Sequence, residues 1–126
     1  MNKLTDISAR ILMGLIFVVA GFGKLGEGYA GTAGYMDSMG VPGSLLPLVI
    51  LLEIAGGLMI IAGFKTAWAA AALAVFSLLS AFIFHFNFAD QIQSIMFMKN
   101  LAISGGLMLL MLHGAGQLSV DSKLLK

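Results

Sequence analysis

Residues 45–64 read LLPLVILLEIAGGLMIIAGF, and this stretch decides the fold of the chain. A helix of about 20 mostly apolar residues spans the hydrocarbon core of a bilayer. Twelve of these residues are Leu, Ile, Val or Phe, which together contribute roughly −4 to −7 kcal/mol to membrane insertion. An acidic residue such as Glu53 opposes insertion by roughly 2.5–3.5 kcal/mol. The stretch therefore predicts a transmembrane helix that carries a carboxylate into the bilayer.

Three further stretches have the length and apolar composition of spanning helices, namely residues 7–26, 66–88 and 92–113. The whole sequence is 60% apolar and only 10% charged, whereas a soluble domain has about 25% charged residues. This composition excludes a soluble globular protein. We predict an all-α membrane protein, a bundle of four transmembrane helices that forms one domain over residues 1–126.

The amino terminus has a second interpretation. Lys3 and Arg10 precede an apolar run, residues 11–23, and residues 18–20 resemble a signal-peptide cleavage site. We favour a retained helix, because its polar and small residues recur at helical spacing on one face.

Four crossings place both termini on the same side of the membrane. The basic residues concentrate on that side, at Lys3, Arg10, Lys65, Lys123 and Lys126. The positive-inside rule therefore predicts cytoplasmic termini.

The long first loop, residues 27–44, lies on the outer side in this topology. It is predicted to form a short surface helix from Thr32, as the amino-terminal cap, to Gly40, and Pro42 prevents its continuation. Such a helix could cover an opening in the bundle. An ordinary loop is the alternative.

Several classes of function are excluded by residue content. The sequence has no cysteine, so it cannot form disulfides, thiolate-bound iron–sulfur clusters or cysteine zinc sites. Its net charge is +1 without a basic cluster, so a nucleic-acid partner is not expected. His85 and His113 fall at opposite ends of the predicted bundle, which argues against a bis-histidine haem. No metal site is expected either, because Glu53 and His85 would be accompanied by a lysine.

Glycines recur at positions where helices must approach closely. Small residues at such spacing allow membrane helices to pack backbone against backbone. We expect helix packing, not ligand contact, from Gly14, Gly21, Gly56, Gly57, Gly105 and Gly106.

Polar residues concentrate in the outer half of the bundle. Glu53 lies about 12 Å below Leu45 and Lys99 about 10 Å below Ile92, so the two side chains can meet. The outer half also receives Lys24, His85, Asn87 and Asn100. We predict one polar pocket that opens outward.

A buried ion pair between Glu53 and Lys99 that only fixes helix register is the alternative. The surplus of polar groups favours a functional site. Arg10, near the cytoplasmic end, is expected to reach the phosphate headgroups.

Four segments of the chain resemble the DoxX family of membrane proteins. They are RILMGLIFVVAGFGKL (10–25), GVPG before LLPLVILLEIAGG (40–57), FHFNFAD (84–90) and FMKNLAISGGLMLL (97–110). The resemblance covers about residues 10–116. It implies a four-helix bacterial inner-membrane protein whose recurrent polar positions correspond to Arg10, Lys24, Glu53, His85, Asn87, Lys99 and Asn100.

The resemblance also implies two functional hypotheses. The family takes its name from a subunit similar to one of archaeal thiosulfate:quinone oxidoreductase, and some members are described as quinol oxidase subunits. The first hypothesis is an accessory subunit that holds a quinone and no covalent cofactor, beside a partner that carries flavin, haem or metal. Glu53 and Lys99 are then the candidate catalytic residues, as proton exchanger and charge partner, and Lys24, His85, Asn87 and Asn100 contact the ligand.

The second hypothesis is a non-enzymatic membrane scaffold or a passage for protons or a small solute. The predicted inner half offers only Ser77, Ser80 and Ser104 as lining groups, which favours a pocket closed at one end. Under either hypothesis the helices contact the lipid bilayer, and both a monomer and a homo-oligomer are compatible with the sequence.

Overall fold

The computed structural model describes residues 3–124. These residues form six α-helices and no strand: α1 Lys3–Gly23, α2 Glu27–Ser38, α3 Leu46–Ala62, α4 Thr66–Phe84, α5 Gln91–His113 and α6 Val120–Leu124. One 3₁₀ turn, Gly43–Leu45, leads into α3. Within this part of the chain, four helices are long and apolar enough to cross a membrane: α1, α3 with its 3₁₀ turn, α4 and α5. The predicted all-helical, four-span architecture is confirmed.

Several predicted helix boundaries differ from the structure. α1 spans Lys3–Gly23 instead of residues 7–26, and the helix of the first loop and α4 differ as well. The short helix of the first loop begins at Glu27, after Gly26 with φ 63°, and Thr32 lies inside it. The Thr32 hydroxyl donates to the Gly28 carbonyl 2.8 Å away, a bond that threonine makes within helices. α4 ends at Phe84 instead of residue 88, and the Asn87 Oδ1 accepts from the Ala89 amide in the turn that follows.

Helices α1 and α3 pack antiparallel at backbone distance. A Cβ atom at Gly14 would lie 2.6 Å from the Gly57 carbonyl oxygen, and one at Gly57 would lie 2.8 Å from the Gly14 oxygen. A Cβ at Gly21 would lie 2.5 Å from Ile54 Cγ1. No larger side chain fits at Gly14 or Gly57 without separating the helices, and one at Gly21 would displace the Ile54 side chain.

The other glycines have different surroundings. Gly56 faces Leu73 of α4, and Gly106 of α5 faces Met13 of α1. A Cβ at Gly105 would meet no described atom within 4 Å, so the packing role predicted for Gly105 is not found within residues 3–124. Gly105 lies on the exposed side of α5, one residue away from the packed face.

We call the end of the bundle that carries α2 and residues 85–90 the loop end. The opposite end, with residues 63–65 and α6, is the tail end. The tail-end half is filled by a buried apolar cluster that consists of Phe17, Ile60, Ala69, Ala70, Leu73, Ala74 and Leu107. This cluster contacts all four spanning helices and leaves no polar route through the tail-end half among the described residues.

Arg10 closes the tail end of the bundle from inside. Its side chain is 2% exposed, Nη1 donates to the Ile61 carbonyl 2.8 Å away, and Nη2 donates to the Leu118 carbonyl. The prediction that Arg10 extends to lipid headgroups is wrong. Carbonyls at the end of α3 and in the folded-back tail accept from both terminal nitrogens of the guanidinium, which holds it inside the bundle and away from the bilayer surface.

Asp121 of α6 caps the start of α4. Its two carboxylate oxygens accept from the Lys65 and Thr66 amides at 2.6 and 2.9 Å, two of the donors that a helix start leaves unpaired. Partial burial alone would raise the pKa of this carboxyl, but the hydrogen bonds from Thr66 and Lys65 and the nearby Arg10 charge outweigh it. The pKa of Asp121 therefore lies below its ordinary value.

We expect Gly14→Ala to lower the thermal midpoint of the purified protein, because the new methyl group would press on the Gly57 carbonyl. Gly105→Ala is the matched control, with open space at its Cβ position. It should leave the midpoint unchanged or raise it, since alanine favours a helix over glycine by about 1 kcal/mol. Thermal unfolding in mild detergent measures both. Equal losses in the two variants would contradict the packing described here.

We expect Asp121→Asn to destabilise the protein by about 1 kcal/mol at pH 7, because an amide nitrogen cannot accept one of the two backbone N–H groups and the charge on the remaining acceptor is lost. A carboxyl whose pKa is lowered by folding stabilises the folded protein at pH values above the ordinary carboxyl pKa of about 4. This stabilisation is lost as the pH falls through the pKa of the folded state. The difference in thermal midpoint between wild type and Asp121→Asn should therefore be largest at pH 7 and shrink in acid. Lys123→Gln, in the same short helix, is the control that should show no such trend.

Candidate functional site

A cavity of about 350 Å³ lies in the loop-end half of the bundle. All four spanning helices and α2 contribute to its wall. Its polar lining consists of Lys24, Thr32, Tyr35, Glu53, Ser77, Ser80, His85, Lys99 and Asn100, and its apolar lining of Ile16, Phe17, Ala20, Met36, Val49, Phe76, Phe84, Met96 and Ile103. Its size lies at the lower end of the range for small-molecule sites, about 300–1,000 Å³. The structure thus brings five of the six predicted pocket residues to one cavity.

Asn87 is the predicted residue that the cavity does not include. It lies in the exposed turn after α4, where its Oδ1 accepts from the Ala89 amide at 3.2 Å. The prediction extended α4 to residue 88, which would have carried Asn87 along the helix. Because α4 ends at Phe84, Asn87 stabilises a turn instead.

Glu53 is paired with Lys24, not with Lys99 as predicted. Lys24 Nζ lies 2.7 Å from Glu53 Oε1, and the two side chains are 25% and 5% exposed. The cause is the close contact of α1 and α3, since a Cβ at Gly21 would lie only 3.3 Å from the Glu53 Cβ. Lys24, in the turn directly after α1, therefore reaches the carboxylate. Apart from this ion pair, no described group donates a hydrogen bond to the buried Oε1.

Lys99 enters the same cavity from α5 and has no ion-pair partner among residues 3–124. Lys24 and Glu53 form the one ion pair in this part of the chain, so no described carboxylate neutralises Lys99. Its side chain is exposed, and the neighbouring Asn100 is half-buried against the cavity. The charges that line the cavity are thus two lysines and one glutamate, with a net charge of +1.

His85 terminates α4 and is oriented by Gln93 of α5. Its Nδ1 lies 2.7 Å from Gln93 Oε1. With a carboxamide oxygen as partner, Nδ1 carries the hydrogen, and a neutral ring then keeps Nε2 as an acceptor. The sequence offered no signal for Gln93, because its contact with His85 depends on how the turn between α4 and α5 folds.

Helix α2 covers the cavity on the side of α3 and α4. The Tyr35 hydroxyl donates to the Phe84 carbonyl 3.2 Å away, and the two rings lie 5.6 Å apart. Met36, 5% exposed, packs with Leu46 and Ile50 of α3. Helix α2 also lines the cavity, through Thr32, Tyr35 and Met36. The first loop was predicted to cover an opening, but no individual lining residue was predicted in it.

The cavity ends at the apolar cluster of the tail-end half. Phe17 belongs both to the cavity wall and to that cluster, and Leu73 and Leu107 are fully buried below it. Ser77 and Ser80 line the cavity, whereas Ser104 lies with its Oγ 2.8 Å from the Asn100 carbonyl and 3.4 Å from that of Ala74. The site can therefore bind a ligand from the loop-end half but offers no path through the bundle in this conformation.

Comparison with known proteins places the chain among membrane proteins. Residues 6–86 match the family model described as DoxX. The chain is 56% identical over 129 aligned positions to the inner membrane protein YqjF of Escherichia coli K12, which covers 100% of this chain and 98% of that relative. It is 34% identical over 122 positions to the inner membrane protein YphA of the same organism, covering 91% of this chain and 86% of that relative. No solved structure matches the chain.

We expect Lys24→Met to destabilise the protein more than the double variant Lys24→Met/Glu53→Gln. Removing the lysine leaves a buried carboxylate without its counter-charge, which typically costs about 3 kcal/mol, whereas removing both charges leaves none. Thermal unfolding of the two variants and of wild type measures the difference. If the double variant were as unstable as Lys24→Met, the ion pair between Lys24 and Glu53 would be contradicted.

Proposed function

This chain belongs to the DoxX family and is a multi-pass inner-membrane protein, and we propose that it is a ligand-binding subunit that holds a quinone or quinol in its loop-end cavity. The observation that carries the proposal is the combination of a buried ion pair, Lys24 and Glu53, with an unneutralised Lys99 in a cavity that has both polar and apolar walls. Ionisable groups within the bilayer are costly and are usually retained for function.

The lining of the cavity suits an amphiphile with a polar ring. A quinone needs hydrogen-bond donors at its carbonyl oxygens, and Lys99 and Asn100 supply them from one side of α5. A quinol needs acceptors for its hydroxyl groups, and Glu53 and the His85 Nε2 supply them. The apolar residues of α1, α4 and α5 would contact an isoprenoid tail.

Within this proposal, Glu53 exchanges protons with the ligand. Its Oε1 has acceptor capacity left beside the ion pair. Lys24 takes the role of counter-ion that was predicted for Lys99, which leaves Lys99 free to contact the ligand. Glu53 and Lys24 would act together, since a proton on Glu53 weakens its attraction to Lys24.

An accessory role follows from the residues that could carry electrons. The sequence contains no cysteine and two histidines, of which His85 lies at the cavity and His113 ends α5 at the tail end. A partner protein that carries flavin, haem or metal would therefore complete any electron transfer. The alternative roles are a scaffold and a passage for protons or a small solute, and the apolar tail-end half of the bundle disfavours a passage.

We expect protein purified in mild detergent to release a quinone in near-stoichiometric amount when it is extracted with organic solvent. Glu53→Gln should lower the bound quinone about tenfold, which corresponds to roughly 1.4 kcal/mol of binding free energy. Mass spectrometry of the extracts measures the ratio of quinone to protein. Glu27→Gln, on the exposed side of α2, is the control and should bind as wild type does.

The outcome that contradicts the proposal is wild-type protein that is folded and monodisperse but carries no quinone. A proteoliposome assay then separates the alternatives. Flux of protons or solute that depends on Glu53 would indicate a passage, and absence of both ligand and flux would favour a scaffold.

A further inference from the structure

Helices α1 and α5 face each other across the cavity. On α1, Ile16 and Ala20 line the cavity four residues apart and therefore on one helical face, beside Phe17. Lys24 lines the cavity from the turn directly after α1. On α5 they are Met96, Lys99, Asn100 and Ile103, again a single face at helical spacing. The two helices meet nearer the tail end, where Met13 lies against Gly106. Toward the loop end the cavity separates them.

The other pairs of neighbouring helices are closed by direct contacts. At the level of the cavity, α1 and α3 meet at Gly21 and Ile54. α4 and α5 are joined by a T-shaped contact of Phe82 with Phe97, with ring centroids 5.1 Å apart. Helix α2 covers the gap between α3 and α4, because Met36 packs on α3 and Tyr35 contacts Phe84 at the end of α4. Among residues 3–124, the side of the cavity between α1 and α5 is the one that no such contact closes.

Lys99 stands at this open side and at membrane depth. It lies eight residues after the start of α5, about 12 Å along the helix. Its neighbours Ile95 and Met98 are more than half exposed, as expected of residues that face lipid. A lysine without a counter-charge at this depth opposes insertion into the bilayer, and no residue between 3 and 124 neutralises it. A ligand with oxygen acceptors would supply the missing partner.

We propose that the ligand enters the cavity sideways from the bilayer, between the loop-end halves of α1 and α5, and that Lys99 binds its oxygen-bearing head there. The ligand class is an amphiphile whose head carries carbonyl, carboxylate or phosphate oxygens and whose hydrocarbon tail stays between Ile16 and Ile103. The inference rests on the proposed function in taking the cavity as a ligand site. It adds the route and the binding role of Lys99, and it holds for a quinone and for an acidic lipid alike.

The route is tested without any ligand. Because the sequence has no cysteine, Ala20→Cys and Ile103→Cys each allow one bimane label at the opening. Leu109→Cys on the lipid-facing side of α5 and Ala89→Cys in the exposed turn are the two reference positions. In phosphatidylcholine vesicles, brominated phospholipid should quench labels at positions 20 and 103 as it does at 109, and aqueous iodide should quench them at least fivefold less than at 89.

Iodide quenching at positions 20 and 103 that equals that at 89 would show a water-facing opening and overturn the inference. Labels at 20 and 103 that neither agent quenches would show that α1 and α5 close against each other, and would overturn it as well.

The role of Lys99 is tested by native mass spectrometry of the full chain in detergent, with two probes in separate arms. One arm adds a short-tailed benzoquinone and the other adds phosphatidylglycerol. Lys99→Met should lower retention of the bound probe at least tenfold, Lys99→Arg should retain it within threefold, and Lys123→Met is the control for loss of a positive charge elsewhere. Unchanged retention by Lys99→Met of a probe that wild type holds would mean that Lys99 merely extends to the headgroups, and would overturn the inference.

The two proposals fail separately. Retention of phosphatidylglycerol but not benzoquinone, with lipid quenching at positions 20 and 103, would support the lateral route and reject the quinone function. Retention of benzoquinone without lipid quenching at those positions would support the quinone function and reject the lateral route.

Discussion

The backbone contact between α1 and α3 is the constraint on which the rest of the structure depends. Gly14 and Gly57 lie so close that neither tolerates a side chain, and Gly21 continues the contact toward the loop end. This approach brings Lys24 to Glu53 and satisfies a carboxylate that would otherwise be costly in the bilayer. With Glu53 neutralised by α1, the lysine of α5 has no protein partner within residues 3–124. The distribution of charge in the cavity is therefore a consequence of where two glycines touch.

The two ends of the bundle differ in packing: the tail end is closed, and the loop end contains the cavity. At the tail end, Arg10 joins α1 to the end of α3 and to the folded-back tail, and Asp121 caps α4. These long-range hydrogen bonds and the apolar cluster below the cavity close the tail-end half of the bundle. The loop-end half instead contains a cavity of about 350 Å³, covered on one side by α2. Such an asymmetry suits a binding protein better than a conduit.

Membership of the DoxX family agrees with this picture at the level of architecture and location. The quinone proposal goes further and rests on the chemistry of the cavity: donors from Lys99 and Asn100, acceptors from Glu53 and His85, and apolar walls. A chain without cysteine and with one histidine at its cavity suits the binding side of a redox reaction, with electron transfer left to a partner.

The sequence by itself determined the four spanning helices and the gathering of Lys24, Glu53, His85, Lys99 and Asn100 in one half of the bundle. Both follow from local properties, because insertion depends on the hydropathy of each segment, and depth follows from the rise per residue.

Only the tertiary structure decided which of these groups touch. The partner of Glu53, the burial of Arg10 and the capping role of Asp121 all depend on which helix faces which and at what rotation. The depth of a residue along its helix does not identify its partner. Lys24 and Lys99 lie at similar depth, and only the glycine contacts between α1 and α3 bring Lys24, and not Lys99, to Glu53. The contacts that decide the site join residues far apart in the chain, and their geometry exists only once the bundle has packed.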